Sequence, residues 1–287
     1  MTNTFRLCTF NLLSPLYKRL PNKESQDLRE SERSDLYVPR QKKCAKLVQE
    51  TGSDVVCLQE LWITKECISF FTDALTGYDY VYKKRTSFKK DGLAIFVNSK
   101  KLQIIDSQSI ELNLTGYRVA LLARVKFVEE PTSELIIVTT HLSFPHHERD
   151  HAIRLKQVQI ILNWVNDYNK KSKLPVFFSG DFNLINDGVY KEMKNVENFS
   201  SAFEVLHSQE PEVTHFNHLA QQICVDFIFY KQFGGYHLSP IDALLYPKGV
   251  SHATFPKDFQ LSDHRPLVST IEVRVQNKIE EKIQEKI

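Results

Sequence analysis

Short apolar runs recur along the whole chain, and they constrain its fold more than any other feature. The core of each run is about five to eight residues long and rich in β-branched and aromatic side chains, as is typical of strands. Several are apolar almost throughout, which indicates central strands covered on both faces. The runs are FRLCTFNLL, DVVCLQE, DGLAIFVN, VALLARVKFV, ELIIVTTHL, PVFFSGDFN, CVDFIFY and RPLVSTIEVRV.

Helical patterns are fewer and lie between these strands. Apolar side chains at helical spacing predict helices at residues 40–51, 65–75 and 149–168. The densely charged residues 18–40 and the basic residues 83–91 are expected to form exposed loops. Strands that follow one another, with a few helices between them, predict an α/β fold of two packed sheets flanked by helices.

The composition is that of a folded protein without a strong net charge. Apolar residues make up 42% of the 287, enough for a sizeable core, which excludes wholesale disorder. The 37 basic and 35 acidic residues leave a net charge of +2, so the overall charge does not indicate a nucleic-acid-binding protein. No domain boundary is visible, and we predict one domain over residues 1–275 followed by a charged tail at 276–287.

The cysteines and the lack of long apolar stretches bear on where the protein works. Five scattered cysteines without a C-x-x-C pair are typical of a reducing compartment and argue against a zinc site. Two of them, Cys8 and Cys57, lie inside predicted strands as small core residues. The chain has neither a secretory signal nor a stretch of about 18 apolar residues. We therefore predict a cytoplasmic or nuclear protein without stable membrane insertion, with a monomer favoured.

Polar side chains lie at the ends of the predicted strands, where a sheet can gather them at one edge. They are Asn11, Glu60, His141, Asp181, Asn183, Asp226, Asp263 and His264. Taken singly these signals are weak, because an Asp or Asn after a strand is more often a turn former than a catalyst. Taken together, carboxylate and amide oxygens favour a hard divalent cation such as Mg²⁺, and the histidines supply protons near neutral pH. These are the parts of a metal-assisted phosphodiesterase.

The same runs carry a family resemblance. In order, the motifs TFNLL, CLQE, DGLAIF, TTHL, SGDFN, VDFIFY and SDHRP resemble those of the endonuclease/exonuclease/phosphatase superfamily. The resemblance extends from Phe5 to about Val273, and SGDFN with the later SDHRP is its most diagnostic pair. It implies a four-layer α/β sandwich, in which two mixed sheets lie face to face with helices outside. The nearest branches are the nocturnin-like deadenylases and the neutral sphingomyelinases.

The resemblance implies a metal site and a hydrolytic reaction. Glu60 is similar to the principal ligand of a Mg²⁺ ion, for which Mn²⁺ can substitute, with Asn11 beside it and Asp263 completing or bridging the site. His264 resembles the histidine that acts on the attacking water or the scissile phosphate. Asp226 matches its carboxylate partner, which would raise the pKa of that histidine.

Three more residues of the resemblance bear on the phosphate. Asp181 and Asn183 match an Asp-x-Asn pair, in which the carboxyl group handles a proton and the amide binds phosphate. His141 matches a second, phosphate-facing histidine. The implied reaction is in-line attack of water on phosphorus, without a covalent enzyme intermediate.

Candidate substrate contacts lie outside these motifs. Arg118 precedes a strand, where its guanidinium either contacts phosphate or forms a surface salt bridge. Asn217 and His218 lie in a loop shortly before Asp226, from which they would reach the substrate.

For several other residues, a structural role is favoured over a functional one. His146, His147 and His151 are close enough in sequence to suggest a metal site, but we expect them to cap or flank the long helix. Trp62 and Phe88 either stack a base or pack in the core, and packing is favoured.

The resemblance specifies the reaction more closely than the substrate. A 3′-to-5′ exoribonuclease of the deadenylase type is favoured because of the basic residues 83–90, His141 and the aromatic side chains. A sphingomyelinase-like lipid phosphodiesterase is the first alternative and an inositol polyphosphate phosphatase the second. A non-enzymatic binding module is disfavoured because the catalytic set is complete. An abasic-site repair enzyme is disfavoured because the residues around Asn11 and Glu60 lack that branch's additional features.

Overall fold

The computed structural model describes residues 2–20, 28–114, 116–147, 150–183 and 188–275. The strands are β1 (Thr2–Asn11), β2 (Val55–Trp62), β3 (Tyr78–Lys84), β4 (Asp91–Asn98), β5 (Leu102–Glu111), β6 (Val119–Phe127), β7 (Glu134–His141), β8 (Val176–Asp181), β9 (Ser200–Ser201), β10 (His215–Phe216), β11 (Gln222–Ile223), β12 (Asp226–Lys231), β13 (Tyr236–Leu245) and β14 (Leu267–Val275). The helices are α1 (Ser34–Glu50), α2 (Lys65–Ala74), α3 (Asp150–Asn169), α4 (Gly188–Lys191) and α5 (Ala202–His207), with a 3₁₀ turn at Glu30–Glu32 and a π-helical turn at Glu192–Val196.

Twelve of these strands form two six-stranded sheets. The first has the order β13-β14-β1-β2-β4-β3 and the second β5-β6-β7-β8-β12-β9, while β10 and β11 form a separate hairpin. Both sheets are mixed, because β1 and β2 are parallel in the first, β7 and β8 are parallel in the second, and the other pairs are antiparallel. The prediction of two mixed sheets is confirmed.

Three apolar clusters hold the layers together. The central cluster lies between the sheets and includes Phe5, Ile137 and Phe177. A second cluster packs α1 and α2 on the outer face of the first sheet, and a third packs α3 on the outer face of the second. A strand that is covered on both faces has apolar side chains on both faces. This four-layer arrangement therefore explains the continuous apolar runs of the sequence.

Two segments predicted as exposed loops are partly buried. Helix α1 begins at Ser34, inside the 18–40 segment, and both Arg40 and Glu30 are buried because their side chains pair. The 83–91 segment begins as the end of β3, and Arg85 is buried against Asp91. In both cases charges that look solvated in sequence have partners inside the fold.

The prediction of one domain over residues 1–275 stays a prediction. The predicted tail at 276–287 lies outside the described residues. Among the described helices, none combines the length and apolar character needed to cross a membrane.

Candidate active site

Strand direction brings the polar strand ends to one end of the sandwich, which we call the site end. The parallel pairs β1 and β2, and β7 and β8, finish there, whereas the antiparallel strands β12 and β14 begin there. The register places Asp226 directly opposite Asp181, and His141 also opposite Asp181. Residues distant in sequence therefore meet because of sheet topology.

A glycine allows β7 and β8 to approach closely at this point. Gly180, immediately before Asp181, has φ of +146°, and a Cβ atom there would lie 2.1 Å from the carbonyl oxygen of Thr140. Only glycine avoids that clash. The SGD motif thus places the Asp181 carboxylate beside His141.

One oxygen atom, Oδ2 of Asp181, lies at the centre of the cluster. Nδ2 of Asn11 donates to it at 2.9 Å across the gap between the sheets. Nε2 of His141 lies 3.3 Å from the same oxygen, and Nε2 of His264 lies 3.7 Å from it. Burial raises the pKa of Asp181 to about 6, against the opposing effect of the His264 charge. A carboxyl group with this pKa is suited to accepting a proton near neutral pH.

His264 is held by a second carboxylate. Its Nδ1 lies 2.9 Å from Oδ2 of Asp226, and both residues are buried. Burial by itself lowers the pKa of His264, but Asp226, Asp181 and Asp263 together raise it to about 10. The imidazole is therefore a cation near neutral pH, with Nε2 directed toward Asp181.

Sequence reasoning missed His215, which lies against His264. The two rings stack with centroids 3.9 Å apart and planes inclined by 22°. Burial and the neighbouring charge of His264 lower the pKa of His215 to about 2, so this ring is neutral. Its Nδ1 lies 3.1 Å from the Asp263 carbonyl oxygen. The only sequence signal was its position in the loop before Asp226.

The loop that carries Asp263 is tied to the end of β1. The Ser262 hydroxyl donates to the Asn11 carbonyl oxygen at 2.7 Å and accepts from the His264 N–H at 3.1 Å. This places Asp263 beside the strand that ends in Asn11.

A β-bulge directs Glu60 toward the site. The register of β2 against β4 shifts between Leu58 and Leu61, and Glu60 has φ of +55°. A bulge re-aims the side chain it carries. Oε2 of Glu60 accepts from the Ser14 N–H at 2.9 Å, and Oε1 lies 3.9 Å from Nδ1 of His141.

The chemistry of these groups fits a divalent metal ion. Burial, with repulsion from Asp91 and Asp263, raises the pKa of Glu60 to about 7. Burial likewise raises the pKa of Asp263. Carboxylates that repel each other in a desolvated site are stabilised by a cation, and oxygen ligands favour Mg²⁺. The assignment of Glu60, Asn11 and Asp263 as the metal ligands stays a prediction.

Among the described residues, two groups have ligand atoms within 4.8 Å of one another: Asp181, Asp226 and His264, and His215, Asp263 and His264. In the first group the His264–Asp226 hydrogen bond already uses Nδ1, and in the second His215 faces the His264 ring. A protonated His264 does not bind a metal. Neither group is therefore favoured as the metal site.

Arg118 is buried at the site end rather than at the surface. Its Nε and Nη1 are buried without a hydrogen-bond partner among the described residues. Burial and the neighbouring Arg85 lower the pKa of Arg118 to about 10, while Asp91, Glu60 and Asp181 act in the opposite sense. A buried guanidinium with free N–H groups is suited to binding an anion such as phosphate.

A network missed by sequence reasoning supports this arginine. Arg85 pairs with Asp91 at 3.1 Å and donates to the Gly116 carbonyl oxygen, while the Tyr17 hydroxyl donates to Asp91 at 2.5 Å. Asp91 opens the DGLAIF run and Arg85 belongs to the basic segment, but nothing in either pattern signals that they pair. Burial, together with the charges of Arg118 and Arg85, lowers the pKa of His141 well below its usual range, which keeps this ring neutral.

The remaining candidates differ in their placement. Asn183, with φ of +50°, donates from Nδ2 to the Leu142 carbonyl oxygen at 3.0 Å, which holds the loop after β8. Asn217 is buried and uses Oδ1 and Nδ2 to hold its own turn, so we do not retain it as a substrate contact. His218 is exposed, and its ring lies 5.3 Å from that of Phe144.

Several structural expectations are met. The backbone N–H groups of His146 and His147 donate to Oδ2 of Asp150 at the start of α3, as expected for residues that flank a helix. Cys8 and Cys57 are buried. The expectation of core packing is wrong for Phe88, which is 72% exposed, whereas Trp62 packs partly buried against the second cluster.

Comparisons with known proteins agree with this geometry. Residues 8–264 match the sequence profile of the Endonuclease/Exonuclease/phosphatase family. An Arabidopsis thaliana protein named as an uncharacterized calcium-binding protein is 33% identical over 241 residues, 77% of this chain and 49% of that protein. The CCR4-Not complex 3′-5′-exoribonuclease subunit Ccr4 of Kluyveromyces lactis is 26% identical over 198 residues, 54% of this chain and 24% of that protein.

A solved structure has the same fold. ANGEL2, a 2′,3′-cyclic phosphatase, in complex with adenosine-2′,3′-vanadate, superimposes with a TM-score of 0.72 at 19% identity, over 95% of this chain and 96% of that one. The four-layer fold, the family resemblance and the prediction of a hydrolase are confirmed. Enzymes of this family depend on divalent metal ions. The predictions of a monomer and of a cytoplasmic or nuclear location stay predictions.

Proposed function

Because the chain belongs to the Endonuclease/Exonuclease/phosphatase family, we propose that it is a Mg²⁺-dependent phosphodiesterase that degrades RNA from the 3′ end. The observation that carries the reaction is the convergence of Asn11, His141 and His264 on Oδ2 of Asp181. A carboxyl group so placed, beside a buried cationic imidazole, is arranged to take a proton from water as charge develops on phosphorus.

The metal has a defined place in this proposal. Glu60, Asn11 and Asp263 would hold the Mg²⁺ ion, which when bound supplies Lewis-acid stabilisation of charge on the phosphoryl oxygens. Glu60 is already fixed by the Ser14 N–H, and its raised pKa reflects a site that favours a cation.

The other side chains act on the water and the phosphate. Asp181 orients the attacking water and accepts its proton. His264, kept cationic by Asp226, and Arg118 stabilise the negative charge of the transition state. Neutral His141 hydrogen-bonds a phosphate oxygen from beside Asp181. Asn183 shapes the loop next to them through its bond to Leu142.

RNA is the proposed substrate for two reasons. The relative named above is a 3′-5′-exoribonuclease, and the ligand in the similar solved structure is built on adenosine. Lys83, Lys84, Lys89 and Lys90 also lie in the segment that contains Arg85, and the Lys89 ammonium is close enough to feel the charge of Arg118. Positive charge beside a phosphate site is suited to a polyanion.

The test is a side-by-side turnover assay of wild type and Glu60→Gln with Mg²⁺ or Mn²⁺. Substrates are 5′-labelled poly(A), mixed-sequence RNA, single-stranded DNA, adenosine 2′,3′-cyclic phosphate, sphingomyelin micelles and inositol polyphosphates. We expect stepwise shortening of RNA that the variant lacks. Phosphocholine release, or phosphate release from inositol phosphates, with RNA intact would replace this proposal by the lipid or the inositol alternative.

A further inference from the structure

Phe88 is an aromatic ring displayed to solvent next to the site. It lies at the turn between β3 and β4, is 72% exposed, and follows Ser87, which has φ of +59°. The ends of this turn are fixed, because the Arg85 N–H donates to the Asp91 carbonyl oxygen at 2.9 Å. A single exposed apolar side chain is ordinary, so what distinguishes Phe88 is the second ring and the cations beside it.

A second exposed ring faces it from another loop. Tyr117 is 43% exposed, and its ring centroid lies 5.6 Å from that of Phe88, with the planes at 69°. Tyr117 has φ of +53°, a conformation that a bulky residue rarely adopts. Arg85 also donates to the carbonyl oxygen of Gly116, so the two loops are tied together beneath the rings.

Anion-binding groups adjoin this pair. Arg118 follows Tyr117 directly in the chain and is only 8% exposed, with Nε and Nη1 unpartnered among the described residues. The Lys89 ammonium lies 5.2 Å from the centroid of the Phe88 ring. An aromatic surface and phosphate-binding groups therefore lie side by side.

We propose that Phe88 and Tyr117 form a base-stacking subsite, which holds the nucleobase of the nucleotide whose phosphate contacts Arg118. This inference rests on the proposed function and specifies how its substrate is recognised. Tyr117 and Arg118 are neighbours in the chain, and in a nucleotide the base and the phosphate are joined through one sugar. Stacking accepts any base, so the subsite predicts recognition of single-stranded RNA without strict sequence preference.

The test compares substrates with and without a base. A 5′-labelled hexa-adenylate is assayed beside the same oligonucleotide with a stable abasic 3′-terminal nucleotide. Phe88→Ala and Phe88→Leu are expected to raise KM on the hexa-adenylate by about 5- to 150-fold, the range of base–aromatic stacking, with kcat nearly unchanged. For wild type, KM on the abasic substrate should exceed KM on the hexa-adenylate by a similar factor. For the two variants, KM should differ little between the two substrates. Phe88→Trp keeps an aromatic ring at this position and should leave KM on the hexa-adenylate near the wild-type value.

The matched control is Ile241→Ala, which removes an exposed apolar side chain on β13, at the opposite edge of the first sheet. It should leave KM unchanged. Equal effects of Phe88→Ala on both substrates, while wild type still degrades RNA, would overturn the subsite and leave the proposed function standing. If wild type degrades no RNA, the proposed function fails, and anisotropy of a fluorescein-labelled hexa-adenylate decides the subsite separately. Binding that does not depend on Phe88 would overturn it.

A lipid surface is the competing ligand for an exposed ring among lysines. Binding to phosphatidylserine vesicles that Phe88→Ala loses but Phe88→Leu keeps would reassign the ring to membrane docking, since insertion needs an apolar rather than an aromatic side chain. The stacking subsite instead requires Phe88→Leu to behave like Phe88→Ala on RNA.

Discussion

Nδ1 of His264 lies 2.9 Å from Oδ2 of Asp226, in a hydrogen bond that joins the segment before β14 of the first sheet to the start of β12 of the second. Oδ1 of the same carboxylate is buried without a partner among the described residues. The negative charge is therefore directed mainly at the imidazole. It contributes, with Asp181 and Asp263, to the pKa of about 10 that keeps this ring cationic.

Asp226→Asn should slow turnover by about 10²–10⁴, the range of general acid–base contributions. Removing the charge lowers the pKa of His264, so the alkaline limb of the kcat/KM profile should move to lower pH. The pH–rate profile and an NMR titration of the imidazole measure this shift. Asp79→Asn, the same change at an exposed position on β3, is the control. An unmoved profile would contradict the pairing.

The positions of the site residues could be predicted from sequence because the signal is local. An apolar run of strand length followed by Asn11, Glu60, His141 or Asp181 indicates a side chain at the end of a strand. Sheet topology then gathers these ends, as the register of Asp226 against Asp181 illustrates.

Pairs that form only through long-range packing could not be predicted. Arg40 bonds to the carbonyl oxygen of Leu261, 221 residues away, and Arg85 to that of Gly116. In sequence these charges resemble solvated loop residues. The strands β3, β5 and β13 were not predicted because each lies at the edge of its sheet. Many of their side chains are exposed or only partly buried, so their apolar pattern is weak.

Glu60→Gln should reduce turnover by at least about 10³, since it removes a ligand of an ion that supplies several kcal/mol to the transition state. The folded protein should not lose stability. Burial raises the pKa of Glu60 in the folded protein to about 7, from its usual value of 4.5. The charged carboxylate therefore destabilises the metal-free fold above pH 7. This destabilisation disappears below pH 4.5, where the group is protonated in the unfolded chain as well.

Thermal unfolding in EDTA at pH 8 measures this second effect. The variant should have a Tm equal to or above that of wild type, and the difference should vanish near pH 4.5. Added Mg²⁺ should stabilise wild type and leave the variant almost unchanged. A variant that is less stable in EDTA at pH 8 would show that Glu60 supports the fold rather than a cation.

Arg118→Met should separate activity from stability in a similar way. The substitution keeps an unbranched side chain but removes the free N–H groups at Nε and Nη1, so kcat/KM should fall by about 10²–10³. Burial and the nearby Arg85 lower the pKa of Arg118, which means that its charge is unfavourable in the folded state. Urea unfolding at pH 7 should therefore show stability equal to or above wild type. A variant of normal activity would remove Arg118 from the phosphate site.

Arg40 and Glu30 form a buried pair that positions the backbone behind the metal site. Nε of Arg40 donates to Glu30 at 2.9 Å, Nη1 donates to the carbonyl oxygens of Leu12 and Leu261, and Nη2 donates to that of Leu13. Leu12 and Leu13 follow Asn11, and Leu261 lies two residues before Asp263. One guanidinium thus connects the two loops that carry two of the proposed ligands.

Arg40→Met should destabilise the protein by about 3–5 kcal/mol, because among the described residues it leaves the buried Glu30 carboxylate with Lys18, at 3.3 Å, as its cation. Adding Glu30→Gln should recover part of that loss, which a double-mutant cycle in urea measures. The control is Arg33→Met, which breaks the exposed pair with Asp35 and should leave the urea midpoint unchanged. Metal affinity should weaken in Arg40→Met and stay normal in Arg33→Met, since Arg40, unlike Arg33, donates to carbonyl oxygens next to Asn11 and Asp263. Equal midpoints for the two variants would show that the buried pair adds nothing to the fold.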